Sequence, residues 1–350
     1  MDLDTLLEQN YEELKDPECK KKVLEYLAEH ETVEDEEVVF IKRLTKTASH
    51  IIKSDPDSID EFLEDLYTFN LTGAKKAFSI LNDKENKDYS SNQLLNMTLH
   101  FLTYAGDIAM VLFKKTGDIF WAEKWYDLHR KSADTGMGID TKHSVYVYSF
   151  AGNAARALFD KTGDITWAEK WYDSYYKSAE SSKDFNKKHS VHCYGFAGNA
   201  ARALFDKTGD ITWAEKWHEC YKLSAELSSE FDLASFDPTS VEALSTICYD
   251  PKHSAHAYSF AGFAAKERFK KRPETERTET KWAEEAISCY QKFLAYYKPI
   301  YCIEGENKSR PEGLIHKINS DISYLKRQID YISKQLAAHN RDVGHSPTTV

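Results

Sequence analysis

The sequence predicts an all-α fold of stacked helix hairpins, and three observations carry that prediction. Glycine (14) and proline (8) are scarce among the 350 residues, and an all-β fold needs turn residues far more often. Hydrophobic residues make up 41% of the chain, enough to fill a core. The third observation is an internal repeat, because residues 151–171 and 197–217 are the same 21 letters, AGNAARALFDKTGDITWAEKW.

The repeat has a period of 46 residues, and weaker copies flank the identical pair. Units of this size cannot bury their own apolar faces, so they stack on one another as a solenoid. We predict four copies at about 96–139, 140–185, 186–228 and 250–300, with an insertion at 229–249.

Each copy is predicted to form two helices. Asp140, Asn186 and Asp250 are N-cap residue types that stand three positions before a repeated histidine. The first helix should end about 20 residues later at Thr-Gly-Asp (162–164 and 208–210), where glycine can adopt the left-handed conformation. The second helix carries tryptophans at i, i+4, which form one apolar stripe.

These units resemble tetratricopeptide repeats (TPRs), whose signature places aromatic, small and alanine residues at fixed spacings. The counterparts in the second copy are Tyr148, Ala151, Gly152 and Ala155 in the first helix, then Ala168 and Tyr172 in the second. The period of 46 exceeds the family's value of about 34, and the closing proline is absent. The resemblance implies a right-handed superhelix of antiparallel helix hairpins, whose first helices line a concave groove for peptides or partner proteins.

Both ends of the chain differ from the repeats. Residues 1–95 are predicted to be an acidic helical segment, since the first 100 residues carry 23 acidic and 12 basic side chains. Residues 301–340 are predicted to form a C-terminal capping helix, followed by a mobile tail at 341–350. Residues 311–338 also show an a/d spacing of isoleucine and leucine, so a homodimeric coiled coil is the alternative.

A polar stripe along the first helices is the candidate binding surface. Amides can bond a peptide backbone, and arginine can grip a carboxylate with two hydrogen bonds. We therefore expect an acidic segment or a C-terminal carboxylate as the ligand, as in the carboxylate clamps of some TPR domains. The alternative is an ordinary solvated face in which Arg156 pairs with Asp160. The candidate peptide-binding residues are Tyr146, Asn153, Arg156, His192, Asn199, Arg202, His256 and Lys266.

Several function classes are disfavoured. No catalytic motif is present, and no segment carries the basic stripe of a nucleic-acid binder. The histidine pairs 189/192 and 253/256 lie on separate helices with no registered third ligand, so we expect no metal and no cofactor. No apolar run could span a membrane, and six cysteines without a C-x-x-C pair suit the cytoplasm. We expect a non-enzymatic scaffold; the alternative is a ligand-sensing regulator whose N-terminal segment acts on a partner.

Overall fold

The structure, a computed structural model, describes residues 63–64, 67–68, 70–75, 91–235, 251–271, 280–303 and 309–343. Within these ranges the chain is helical and contains no strand, which confirms the all-α prediction. The predictions for most of the N-terminal segment, for insertion residues 236–249 and for tail residues 344–350 lie outside the described residues.

From residue 91 onward, the described part of the chain contains nine helices in hairpin succession. They divide into two compact units between Ser178 and Ala179, within the fourth helix. The helices are α1 (Ser91–Thr116), α2 (Ile119–Gly136), α3 (Thr141–Thr162), α4 (Ile165–Ser182), α5 (Lys187–Thr208), α6 (Ile211–Ser235), α7 (Pro251–Lys271), α8 (Lys281–Ile303) and α9 (Ser309–Val343). None of these helices is long and apolar enough to cross a membrane.

The predicted start and stop signals of the repeat are confirmed in the first unit. The Asp140 side chain accepts a hydrogen bond from the His143 backbone amide at 3.0 Å, which caps α3. Gly163 ends α3 with a φ of 69°, in the left-handed region that favours glycine. Lys161 links this helix to the previous hairpin, because its ammonium donates to the Gly117 carbonyl just after α1.

A glycine in the first helix allows each hairpin to close. A Cβ built on Gly152 would lie 2.5 Å from the Tyr175 ring of α4, so only glycine permits this approach. One turn after Tyr175 on α4, the buried Ser178 hydroxyl donates to the Val145 carbonyl of α3 at 2.7 Å. The repeated glycine is therefore a packing residue.

The second unit repeats these contacts. Asn186 caps α5 by accepting from the His189 amide, and Gly209 ends the helix with a φ of 70°. The Tyr221 ring covers Gly198 with a virtual Cβ distance of 2.7 Å, and the Ser224 hydroxyl donates to the Val191 carbonyl at 2.9 Å. A helical repeat is therefore present in both units.

The C-terminal helix α9 packs against α8 in the second unit. Three of the predicted seam residues, Ile318, Leu325 and Ile332, are buried in this same chain. Their spacing of seven residues marks one helix face, and burial of that face agrees with a capping role. Self-association through residues 311–338 stays a prediction.

Candidate functional site

The stripe predicted on the second copy is exposed in the first unit. Tyr146, Asn153 and Arg156 all lie on the surface of α3. The Asn153 amide oxygen accepts a hydrogen bond from the Tyr175 hydroxyl at 2.7 Å, which leaves the amide NH2 group as the outward donor. The Arg156 guanidinium lies 3.5 Å from Asp160 and 5.5 Å from the centre of the Trp171 ring.

The next copy has the same arrangement on α5, in the second unit. The Asn199 amide oxygen accepts from the Tyr221 hydroxyl at 2.8 Å. The Arg202 guanidinium lies 3.5 Å from Asp206 and 5.5 Å from the Trp217 ring centre. Both arginine–aspartate pairs are about half exposed and join residues one helical turn apart, so they contribute little to stability.

A pocket of about 180 Å³ lies between α5, α6 and α7. It brings together three of the sequence-predicted residues, His192, Asn199 and His256. Phenylalanine rings and small residues complete the wall. The full lining is His192, Gly195, Phe196, Asn199, Tyr221, His256, Ala257 and Phe260. The volume suits one side chain of a ligand rather than a large cofactor.

The polar groups of this pocket are two imidazoles, a tyrosine hydroxyl and an amide, and none of the lining residues is a carboxylate. Burial raises the pKa of Tyr221, so its hydroxyl keeps its proton and holds the Asn199 amide in place. Burial, helped by the charge of Lys188, lowers the pKa of His192 below its ordinary value of 6.5, so this imidazole is neutral at pH 7. The Arg202 guanidinium lies one turn beyond Asn199 on the same helix face, and its partner Asp206 lies one turn further.

Lys266 departs from the exposed set that the sequence predicted. Its side chain is buried, and its ammonium lies 2.6 Å from the Asp321 carboxylate on α9. Sequence reasoning placed Lys266 on the stripe because its helical register matches Arg156 and Arg202. The C-terminal helix covers that register in the fourth copy, so Lys266 is not part of the site that we consider below.

Sequence reasoning missed the phenylalanines of the pocket. Phe196 is exposed and Phe260 is half-buried, and the centre of the Phe260 ring lies 5.0 Å from that of Tyr221. Both residues directly precede an Ala-Gly pair, as does the exposed Phe150 of α3. Repetition of a phenylalanine directly before the Ala-Gly pair was the available signal, and the polar stripe did not include it.

Comparisons with known proteins find similarity to solved structures at low sequence identity. The sequence matches no protein-family model and no curated protein. Similar solved structures include a de novo designed helical repeat protein, at 14% identity, a TM-score of 0.28, and coverage of 69% of this chain and 99% of that one. BtubC from P. vanneervenii shares 12% identity at a TM-score of 0.33, covering 82% and 95% respectively. A circular tandem repeat protein shares 11% identity at a TM-score of 0.33, covering 94% and 77%.

Proposed function

We propose that this chain is a non-enzymatic peptide-binding scaffold, and that the pocket between α5, α6 and α7 is its principal recognition site. The supporting observation is the grouping of His192, Asn199 and His256 with two phenylalanine rings around one cavity. Within the second unit, this pocket would form part of a groove along the first helices α5 and α7, as in the TPR family that the repeats resemble. We also propose that these repeats are a lengthened form of the TPR.

The lining indicates which ligand chemistry fits. Phe196 and Phe260 offer ring faces to an apolar side chain of the ligand, whose burial releases water. Next to them, the Asn199 NH2 group can donate to a carbonyl or carboxylate oxygen. Arg202 lies one turn away, and its guanidinium can exchange the exposed Asp206 for an anionic group of the ligand. The proposed ligand is an extended peptide with an apolar side chain beside an acidic residue or its C-terminal carboxylate.

A screen of synthetic peptides on the immobilised full chain tests this proposal. Each peptide is prepared both as the free acid and as the C-terminal amide. We expect the binders to carry an aromatic or branched apolar side chain next to a carboxylate. For the best binder, the double variant Asn199→Ala, Arg202→Ala should weaken affinity at least about tenfold in calorimetry, equivalent to about 1.4 kcal/mol.

A matched control separates this effect from general charge loss. Lys207→Ala removes one positive charge from the same helix but lies outside the pocket lining. Its affinity for the selected peptide should equal that of the wild type. Equal binding by the Asn199, Arg202 double variant, or a screen without any binder, would reject the pocket as a recognition site. The regulator alternative depends on residues 1–95 and stays a prediction.

A further inference from the structure

A second group of polar side chains lies away from the pocket lining, between the second helices of two successive hairpins. His218 comes from α6, and Glu285 and Cys289 come from α8. One ligand atom from each of the three residues lies within 4.8 Å of the others. Glu285 and Cys289 are four residues apart, so they share one face of α8. The protein thus brings an imidazole, a carboxylate and a thiol to one place.

The histidine is oriented for a ligand role. Its Nδ1 lies 2.9 Å from the Ala261 carbonyl oxygen, which can only accept, so Nδ1 carries a proton. In the neutral imidazole, Nε2 then has a lone pair, and it faces the Glu285 Oε1 atom at 3.4 Å. Both atoms are acceptors, so one cation can bind both, and the Lys222 ammonium already pairs with Oε1. A backbone carbonyl behind the far ring nitrogen is the usual outer partner of a metal-binding histidine.

The distances match tetrahedral coordination. Zinc lies about 2.0–2.3 Å from nitrogen, oxygen and sulfur ligands, which separates neighbouring ligand atoms by about 3.3–3.8 Å. The Nε2–Oε1 distance of 3.4 Å falls in that range. Cys289 is buried and is not in a disulfide. The thiol sulfur lies within 4.8 Å of the other two ligand atoms, so a small side-chain movement completes a three-ligand set.

We propose that His218, Glu285 and Cys289 bind one divalent transition-metal ion, with Zn²⁺ as the preferred ion and a water molecule as the fourth ligand. The metal links α6 to α8, both of which pack against α7. The role is structural, since binding at this point joins the second helices of two neighbouring hairpins. The prediction of no metal concerned the histidine pairs 189/192 and 253/256, and His218 belongs to neither pair.

Proton and charge balance follow from the residues present. Cys289 binds the metal as a thiolate, and its thiol proton is released to water. The Lys222 ammonium pairs with the same Glu285 oxygen. Lys222 is 37% exposed, so its ammonium can move to water when the metal takes its place.

Cobalt titration of the full chain tests the site, since Co²⁺ takes the place of Zn²⁺ and is visible by absorption. We expect one equivalent to give a thiolate-to-cobalt charge-transfer band and the intense visible bands of a tetrahedral ion. Zn²⁺ should displace the cobalt and raise the melting temperature. Cys289→Ser should lose the charge-transfer band, and Glu285→Gln should weaken Co²⁺ binding at least about tenfold.

Two matched variants make the result specific. Cys193 lies 3.3 Å from His189 Nε2, so Cys193→Ser is the control for the other cysteine–histidine contact and should keep the band. Lys222→Met removes a cation beside the metal and should tighten Co²⁺ binding by about tenfold or more. Circular dichroism checks that each variant is folded. A wild-type chain without the band, or a band that persists in folded Cys289→Ser, would overturn the proposal.

Discussion

The hairpin α1–α2 in the first unit and the hairpin α5–α6 in the second share one framework but present different polar groups. In each hairpin a ring from the second helix covers a glycine of the first, His129 on Gly106 and Tyr221 on Gly198. The polar atom of each ring has a different hydrogen-bonding partner. His129 Nε2 lies 3.2 Å from the Asp107 carboxylate, whereas the Tyr221 hydroxyl donates to the Asn199 amide at 2.8 Å.

The glycine and the ring are needed for packing, whereas the polar residue beside them differs between the two hairpins. The glycine and a planar ring recur because the two helices approach closely at that point. Asp107 places a carboxylate where Asn199 places a neutral amide with outward donors. We therefore expect the second hairpin to accept an anionic ligand more readily than the first. The following predictions test the comparison, from the largest expected effect to the smallest.

The framework glycines should tolerate no side chain in either hairpin. A Cβ on Gly106 would lie 2.6 Å from the His129 ring, and one on Gly198 would lie 2.7 Å from the Tyr221 ring. We expect Gly106→Ala and Gly198→Ala each to lower the free energy of unfolding by about 1–3 kcal/mol, because overpacking forces the helices apart. Urea unfolding followed by circular dichroism measures this change.

Gly195 provides the control on the same helix as Gly198. A Cβ at Gly195 would meet nothing within 4 Å. Gly195→Ala should therefore raise the free energy of unfolding by about 0.5–1 kcal/mol, the helix preference of alanine over glycine. If Gly195→Ala and Gly198→Ala destabilise equally, ring contact is not the reason for the repeated glycine.

Transferring the carboxylate of the first hairpin to the second should change binding more than stability. In Asn199→Asp, the new carboxylate can still accept from the Tyr221 hydroxyl, so the framework keeps its hydrogen bond. The added negative charge should weaken an acidic peptide at least about tenfold, or about 1.4 kcal/mol. Calorimetry with the best binder from the screen measures it, at low and high salt. Unchanged affinity would show that the ligand does not approach Asn199.

The loss of stability at acid pH should depend in part on tyrosine–carboxylate hydrogen bonds between successive repeats. The Tyr148 hydroxyl donates to Asp134 at 2.5 Å in the first unit, and Tyr194 donates to Glu180 in the second. Burial raises the pKa of each carboxyl group, but the tyrosine hydrogen bond and the basic neighbours together outweigh it. Arg130 and Lys177 act on Asp134, and Lys183 acts on Glu180, so both pKa values lie below the ordinary 3.8 and 4.5.

A lowered pKa gives stability that is present above the ordinary value and lost as pH falls through the folded value. The unfolding midpoint of Tyr148→Phe should therefore lie below that of the wild type at pH 7, and the gap should narrow below about pH 4. Urea midpoints across pH 3–7 measure the gap. Tyr194→Phe should behave in the same way in the second unit. A gap that stays constant with pH would show that the carboxylates do not contribute through these bonds.

The arginines of the stripe should matter least for folding. Arg156 and Arg202 are exposed, and each pairs at 3.5 Å with an equally exposed aspartate. Arg156→Ala and Arg202→Ala should each change the free energy of unfolding by about 0–1 kcal/mol. Thermal unfolding measures this change. A larger loss of stability would mean that the arginines stabilise the hairpins, which would weaken their assignment to ligand binding.

The sequence predicted the fold well because its signals are local and repeated. The N-cap at Asp140 and the left-handed Gly163 each act within a few residues of the chain, and both are where the pattern placed them. The site was less predictable. Lys266 shares its helix register with Arg202, but its burial depends on α9, which follows it by dozens of residues. The His218, Glu285 and Cys289 group likewise depends on how two hairpins pack, which no local pattern encodes.

In our proposal, the pocket between α5, α6 and α7 recognises a peptide through the two phenylalanine rings and the outward NH2 group of Asn199. A crystal structure of the chain with the best peptide from the screen tests it most directly. We predict an apolar side chain between the rings of Phe196 and Phe260, with a carboxylate oxygen bonded to the Asn199 NH2 group. A peptide bound elsewhere, with the pocket filled only by water, would contradict the claim.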